Sequence, residues 1–155
     1  MKYKYILFDL DGTITESGPG IMNSVEYALN KMNREVGERD TLKKFIGPPL
    51  TESMEKYYGM SEEEALLGVK YYREYYAVKG IFENSVYEGL AETLESLKNE
   101  GYILAVATSK PEEYAKRIAD KFDFAKYFAG IYGATMDGSL IRKADVIRYA
   151  LDNLG

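Results

Sequence analysis

Tyr5-Ile6-Leu7-Phe8-Asp9-Leu10-Asp11-Gly12-Thr13-Ile14-Thr15 is the stretch that decides how this chain folds. A short apolar run ends in two carboxylates two residues apart, followed at once by Gly-Thr. Positions i and i+2 of a strand share a face, so Asp9 and Asp11 converge where the strand gives way to a loop. Like charges that close repel unless a cation sits between them or one takes a proton. Mg²⁺ suits such a place, because it takes carboxylates and carbonyls and leaves room for phosphate oxygens. A carboxylate beside a metal can also attack phosphorus and form an aspartyl phosphate. The pattern points to phosphoryl transfer at the carboxyl end of a strand. Asp-x-Asp-Gly alone is as often a plain turn; the apolar run before it and the Gly-Thr after it make the whole string far more specific.

The 155 residues suit one domain with room for an insertion. A 46% hydrophobic and 29% charged composition is that of an ordinary globular chain. Cysteine and histidine are both absent, which excludes disulfides, thiolate metal sites and imidazole chemistry. Proton transfer must then come from carboxylates, Lys or Tyr. A net charge of −5 argues against a nucleic-acid binder. It also means that an anionic substrate needs local positive charge. No stretch is long enough to span a membrane, and Met1-Lys2-Tyr3-Lys4 leads into the first strand with no signal peptide, so a cytoplasmic protein is expected. Tyr71, Tyr72, Tyr75 and Tyr76 fall at helical spacing and read as packing rather than as a binding stripe.

Along the chain, residues 4–9 read as a buried strand. Ile21, Val25, Ala28, Leu29 and Met32 recur at helical spacing over about 19–33. A short helix is expected at about 40–45, broken by Gly47-Pro48-Pro49, with another helix starting near Thr51. Ser61-Glu62-Glu63-Glu64 signals the capped start of a long helix that ends near Val78. The α/β alternation resumes with a helix over 89–99 and a buried strand Ile103-Leu104-Ala105-Val106-Ala107-Thr108. Ser109-Lys110-Pro111-Glu112 reads as the cap of the next helix, followed by a weaker strand over 128–133 and a last helix over 143–153. The expected fold is α/β: a Rossmann-like, doubly wound parallel sheet from residues 1–14 and 83–155, with an inserted all-helical cap over 15–82. Its site would lie at the carboxyl ends of the strands.

The opening string, DxDGT, resembles the first motif of the haloacid dehalogenase superfamily in its phosphatase form. The run Ala105-Val106-Ala107-Thr108-Ser109-Lys110-Pro111 is similar to the second motif, and Lys143, which opens the last helix, to the third. Neighbouring Arg142 is the competing candidate for that position. The resemblance implies that Asp9 is the nucleophile and that Asp11 protonates the leaving group and later activates water. Lys143 would neutralise the nucleophile and a phosphate oxygen. Thr108, Ser109 and Lys110, with Gly12 and Thr13, would hold the phosphate, and Asp9 and Asp11 would hold Mg²⁺. Ser109 has the alternative reading of a helix cap. The family's fourth motif, an acidic pair after a further strand, has no counterpart before Gly155. The expectation is therefore a member cut short and impaired in Mg²⁺ binding.

Asp11 separates the chain from dehalogenase and phosphonate-cleaving branches, and the lack of His separates it from β-phosphoglucomutase-like members. Phe45 to Met54, "FIGPPLTESM", looks like the phosphoglycolate phosphatase branch. That branch also holds pyrophosphatases and nucleotide or sugar-phosphate phosphatases. The expected function is hydrolysis of a small phosphorylated metabolite through an aspartyl phosphate. The alternatives are a truncated module that binds phosphate or a partner without catalysis, and a phospho-accepting receiver domain, against which the insertion and DxDGT both count. Without a neighbour on its far side, the first strand would be an apolar edge, and self-association is expected there.

Overall fold

The structure is a computed structural model and describes residues 2–155. In chain order these form β1 (Tyr5–Phe8), α1 (Gly18–Lys31), a 3-10 turn (Arg39–Phe45), α2 (Leu50–Tyr58), α3 (Glu62–Tyr76), a short turn (Gly80–Phe82), α4 (Leu90–Asn99), β2 (Ile103–Pro111), α5 (Glu112–Lys121), a turn (Ala125–Tyr127), β3 (Gly130–Ala134) and α6 (Lys143–Leu154). The chain divides into two compact units: Met1–Glu16 with Ser85–Gly155, and Ser17–Asn84.

The first unit is a parallel three-stranded sheet in the order β1-β2-β3, packed with α4, α5 and α6. Tyr5 pairs with Ile103 and Phe8 with Val106, while Ala105 pairs with Gly130. Leu104 to Lys110 are all buried, the continuous burial expected of a parallel strand covered on both faces. β1 pairs only with β2 among the described residues, so it forms one edge of this sheet. Thr15 bridges back to Val86, and the amide of Glu16 donates to the carbonyl of Ser85, which closes the unit where the chain leaves and returns.

Two expectations change here. β2 does not end at Thr108 but runs on to Pro111, and Ser109 does not cap the following helix. The N-cap of α5 is Pro111, which has extended backbone angles and makes no side-chain capping bond. The physical cause is local: a proline disfavours helical angles in the residue before it, so Lys110 stays extended. The register confirms it. Ala107 pairs with Tyr132 and Pro111 with Ala134, so β2 carries extra residues between two ladder pairings. Such a bulge re-aims side chains locally. β3 begins at Gly130, later than the run from Phe128 suggested.

The second unit is helical apart from its loops. Ile21, Val25, Ala28 and Leu29 of α1 are buried, as are Met54 of α2 and Ala65, Val69, Tyr72 and Tyr76 of α3. The Tyr72 and Tyr76 rings stack 5.2 Å apart, which makes that tyrosine run packing material. Gly68 lets α3 approach α2 closely, since a Cβ there would lie 2.5 Å from the sulfur of Met54. Ser61 and Glu64 form a reciprocal capping box: the Glu64 amide donates to the Ser61 hydroxyl, and the Ser61 amide to the Glu64 carboxylate. No helix among the described residues is long and apolar enough to cross a membrane.

Candidate active site

The site is built where β1 and β2 end. Asp9 follows the last residue of β1, and the chain then folds back tightly. The amides of Thr13, Ile14 and Thr15 all donate to the carbonyl of Leu10, and the amide of Gly12 donates to the carbonyl of Thr15. Gly12 has a φ of 76°, in the left-handed region that a residue without a Cβ enters without strain. Leu10 and Ile14 are buried beneath the turn and anchor it. Gly12 and Thr13 are exposed at its tip.

Asp9 Oδ1 accepts a hydrogen bond from the amide of Leu10 at 2.8 Å and lies 2.6 Å from Lys143 Nζ. Lys143 also donates to the carbonyl of Ala107 at 3.1 Å. Its reach follows from how α6 packs. Val146 and Ala150 sit with Ala107 in one apolar cluster, with Tyr132, Leu140 and Ile147 against it. Lys143 lies three residues before Val146, on the same helical stripe. The stripe that buries α6 therefore also aims Lys143 at the end of β1. Arg142 is exposed at the N-cap of α6, and it is Lys143 that meets Asp9.

Asp11 meets a different cation. Its Oδ1 lies 3.5 Å from Lys110 Nζ, and both side chains are buried, at 6% and 5% exposure. That oxygen makes no hydrogen bond. Lys110 belongs to the bulged end of β2. Its amide donates to the hydroxyl oxygen of Thr108 at 3.1 Å, so Thr108 pins the backbone that carries it. Thr108 and Ser109 are themselves buried. On the other side, Gly133 of β3 permits close approach: a Cβ there would lie 2.6 Å from the Lys110 carbonyl and 2.7 Å from the Glu112 backbone. The Gly133 amide donates to Glu112 Oε1 at 3.3 Å, and the Tyr149 hydroxyl donates to the same oxygen at 3.2 Å. Desolvation, then the Glu112 carboxylate, raises the Tyr149 hydroxyl above its ordinary pKa.

The structure thus gathers the candidate residues into two cation–carboxylate pairs, Asp9–Lys143 and Asp11–Lys110, with Thr108 beside the second. Ser109 is buried in the bulge, and the amides of Gly12 and Thr13 serve the turn itself. The sequence reading did not single out Ala107, Glu112 or Gly133. The first acts through its carbonyl, which carries no side-chain signal. The other two support the bulge, which the run of apolar residues does not announce.

A parallel α/β unit with paired carboxylates at the end of its first strand, interrupted by a helical unit, defines a class of hydrolase. The sequence profile of the haloacid dehalogenase-like hydrolases matches residues 6–155, and the chain belongs to that family. It is 43% identical over 155 residues to a 5'-nucleotidase of Pseudomonas aeruginosa, covering 100% of this chain and 70% of that protein. It is 41% identical over 150 residues to the tyrosine-protein kinase PtkA of Mycobacterium tuberculosis, covering 96% of this chain and half of that protein. Its fold is that of a crystal structure of a predicted phosphatase from Clostridium acetobutylicum, with a TM-score of 0.96, 50% identity, and coverage of 98% of this chain and 70% of that one.

Proposed function

We propose that this chain carries the catalytic residues of a phosphatase that hydrolyses a small phosphate monoester through an aspartyl phosphate on Asp9. The observation that supports the reading best is the Asp9 carboxylate, held at the end of β1 by the Leu10 amide on one oxygen and by Lys143. That arrangement leaves its second oxygen to attack. In the first step Asp9 Oδ2 bonds to phosphorus and the bond to the leaving oxygen breaks. Asp11, in its acid form, gives that oxygen a proton. In the second step Asp11 takes a proton from water, the hydroxide oxygen bonds to phosphorus, and the bond to Asp9 breaks. Inorganic phosphate leaves and both carboxyl groups return to their starting forms. Lys143 offsets negative charge on Asp9 and on the transferring group, a stabilisation that acts most strongly where water is excluded.

The donor set suits a hard divalent cation. Mg²⁺ is commonly held by one or two carboxylates, with waters and substrate phosphate completing its shell. Asp9 and the main-chain carbonyl of Asp11 would hold it, and the buried Asp11 Oδ1, which has the Lys110 ammonium at 3.5 Å but no hydrogen bond, keeps the lone pairs a hard cation's shell or its waters would use. When bound, Mg²⁺ neutralises phosphate charge and polarises the phosphorus centre. The hydroxyl of Thr108 accepts from Lys110, which leaves its proton to donate to a phosphate oxygen. Ser109, Gly12 and Thr13 complete the candidate phosphate contacts, whereas the ammonium of Lys110 is held against Asp11.

The helical unit would serve as the cap, contributing substrate contacts and excluding water. Two substrate readings follow. The stretch Phe45 to Met54 favours a compact acid such as phosphoglycolate, and the 5'-nucleotidase relative favours a nucleoside monophosphate. A cytoplasmic setting is part of the same proposal. A second copy of the chain is a candidate partner at the free edge of β1.

Phosphate release from a panel of monoesters by the protein expressed from its whole reading frame tests the reading, alongside Asp9→Asn. Asn keeps the shape of Asp9 and removes the charged nucleophile. Loss of turnover with an unchanged melt is the expected result. Turnover near that of wild type in Asp9→Asn, or none in wild type with any ester, would overturn it.

A further inference from the structure

The proposed reaction does not explain why a lysine should be buried against the proton-transferring carboxylate. Lys110 keeps only 5% of its side chain exposed and ends 3.5 Å from Asp11 Oδ1, whose own side chain is 6% exposed. A buried pair of this kind is a poor investment in stability, because desolvating both ions cancels much of their attraction. A lysine also gives up a large share of its rotamer freedom when buried. Yet the local backbone is shaped to place it. The bulge of β2 turns Lys110 out of the regular ladder. Thr108 holds its amide, and Gly133 clears space for its carbonyl. Three separate features converge on the position of one ammonium group. The other lysine of the site differs: Lys143 is 37% exposed and faces the nucleophile.

We propose that Lys110 is a positioning residue for Asp11: its buried ammonium fixes where the Asp11 carboxyl group sits, so that the group faces the leaving oxygen rather than swinging free. The inference rests on the reading of Asp11 as proton donor and goes beyond it by assigning Lys110 to Asp11 rather than to the substrate phosphate. No proton moves through Lys110. It acts by geometry, in keeping with the cost of even small misplacement of a catalytic group. Among the described residues Asp11 Oδ1 makes no hydrogen bond, and the Lys110 ammonium is the charged group set against it.

Leaving-group dependence separates this role from a structural one. The p-nitrophenolate of p-nitrophenyl phosphate departs without a proton, whereas the alkoxide of glycerol 2-phosphate needs one. In the protein expressed from its whole reading frame, Lys110→Met should lower kcat on glycerol 2-phosphate by about 10²–10³-fold, the range of lost acid–base help, and on p-nitrophenyl phosphate by less than about tenfold. KM should change little for either ester, and Lys110→Arg should recover much of the loss. Asp11→Asn is the control and should show the same split. Equal losses on both esters in Asp11→Asn would sink the proton-donor reading itself. A split in Asp11→Asn with equal losses, or a raised KM, in Lys110→Met would overturn this inference alone and make Lys110 a scaffold or a phosphate ligand. If Lys110→Met does not fold, nitrogen-15 NMR of the lysine ammonium groups decides. The Lys110 signal should be protected from solvent exchange in wild type and should shift in Asp11→Asn; an unshifted signal would overturn the pairing.

Discussion

Lys143 Nζ sits 2.6 Å from Asp9 Oδ1 and 3.1 Å from the carbonyl oxygen of Ala107, and so ties the end of β1 to the middle of β2 through the first residue of α6. Both charged side chains are more than a third exposed. Partly solvated pairs contribute at most about 1 kcal/mol to stability. In the proposed reaction the pair acts on charge at the strand end rather than on stability. Lys143→Met should lower phosphate release by about 10²–10³-fold, the usual loss when one fixed donor to a developing charge is removed. Its melting temperature should stay within a few degrees of wild type. A variant that melts far lower would mean that Lys143 is holding α6 in place.

The proposed reaction uses Mg²⁺, and the donor set bears on how tightly it would be held. The Asp9 carboxylate and the Asp11 main-chain carbonyl are the protein groups proposed to hold it, and no group of three or more acidic residues gathers among the described residues. These 155 residues should therefore bind Mg²⁺ weakly, and water and substrate phosphate should complete its shell. Calorimetric titration checks this, and affinity should rise when inorganic phosphate is present. A chelator should stop turnover, and excess Mg²⁺ should restore it. Tight binding to these residues without phosphate would show that another protein group takes part.

Gly133 is a sensitive point on β3, behind the bulge that carries Lys110. A methyl group there would meet the carbonyl of Lys110 and the backbone of Glu112, neither of which can swing aside as a side-chain tip can. Gly133→Ala should cost about 1–3 kcal/mol, as overpacking commonly does. It should also shift Lys110, so activity on alkyl phosphates should fall further than the melt alone explains. Denaturation curves measured beside turnover on the two ester types give the comparison.

The parts legible in the sequence are those written in local patterns. The apolar run before Asp9 places a strand end, and Ser61 with Glu64 announces the start of α3. The stripe through Val146 and Ala150 sets the face of α6 that carries Lys143 inward. What the sequence hides is register. Ser109 before Lys110-Pro111 has the composition of a helix cap, but the proline keeps the preceding residue extended, and pairing of Pro111 with Ala134 extends β2 through it. The meeting of Lys110 with Asp11 depends on that bulge. No periodicity in either segment records it, because it arises only when β1, β2 and β3 come together.

β1 offers an edge. Tyr5, Ile6, Leu7 and Phe8 are only half-buried and pair with β2 alone among the described residues. Exposed apolar edges are templates for pairing with another chain, and Lys2 and Lys4 guard this one only slightly. These 155 residues should self-associate in a concentration-dependent manner. Light scattering across a dilution series checks it. A cooperative melt from a monomer at every concentration would show that the edge is protected.

Acid should weaken the helical unit through Glu64. The hydrogen bond from the Ser61 amide, then the nearby Arg34, hold its carboxyl below the ordinary value. A carboxyl depressed in the folded state adds stability above its unfolded pKa, and that stability is lost as pH falls through the folded value. Near neutrality, Ser61→Ala should cost about 1 kcal/mol, as loss of a serine N-cap typically does. Glu64→Gln should remove the charged part of the box while keeping a side chain able to accept the Ser61 amide. The gap in stability between wild type and Glu64→Gln should therefore be present at pH 7 and close as Glu64 takes up its proton in strong acid. Urea midpoints measured over that range provide the check. A gap that stays constant down the whole acid limb would mean that Glu64 acts by shape alone, with no contribution from its charge.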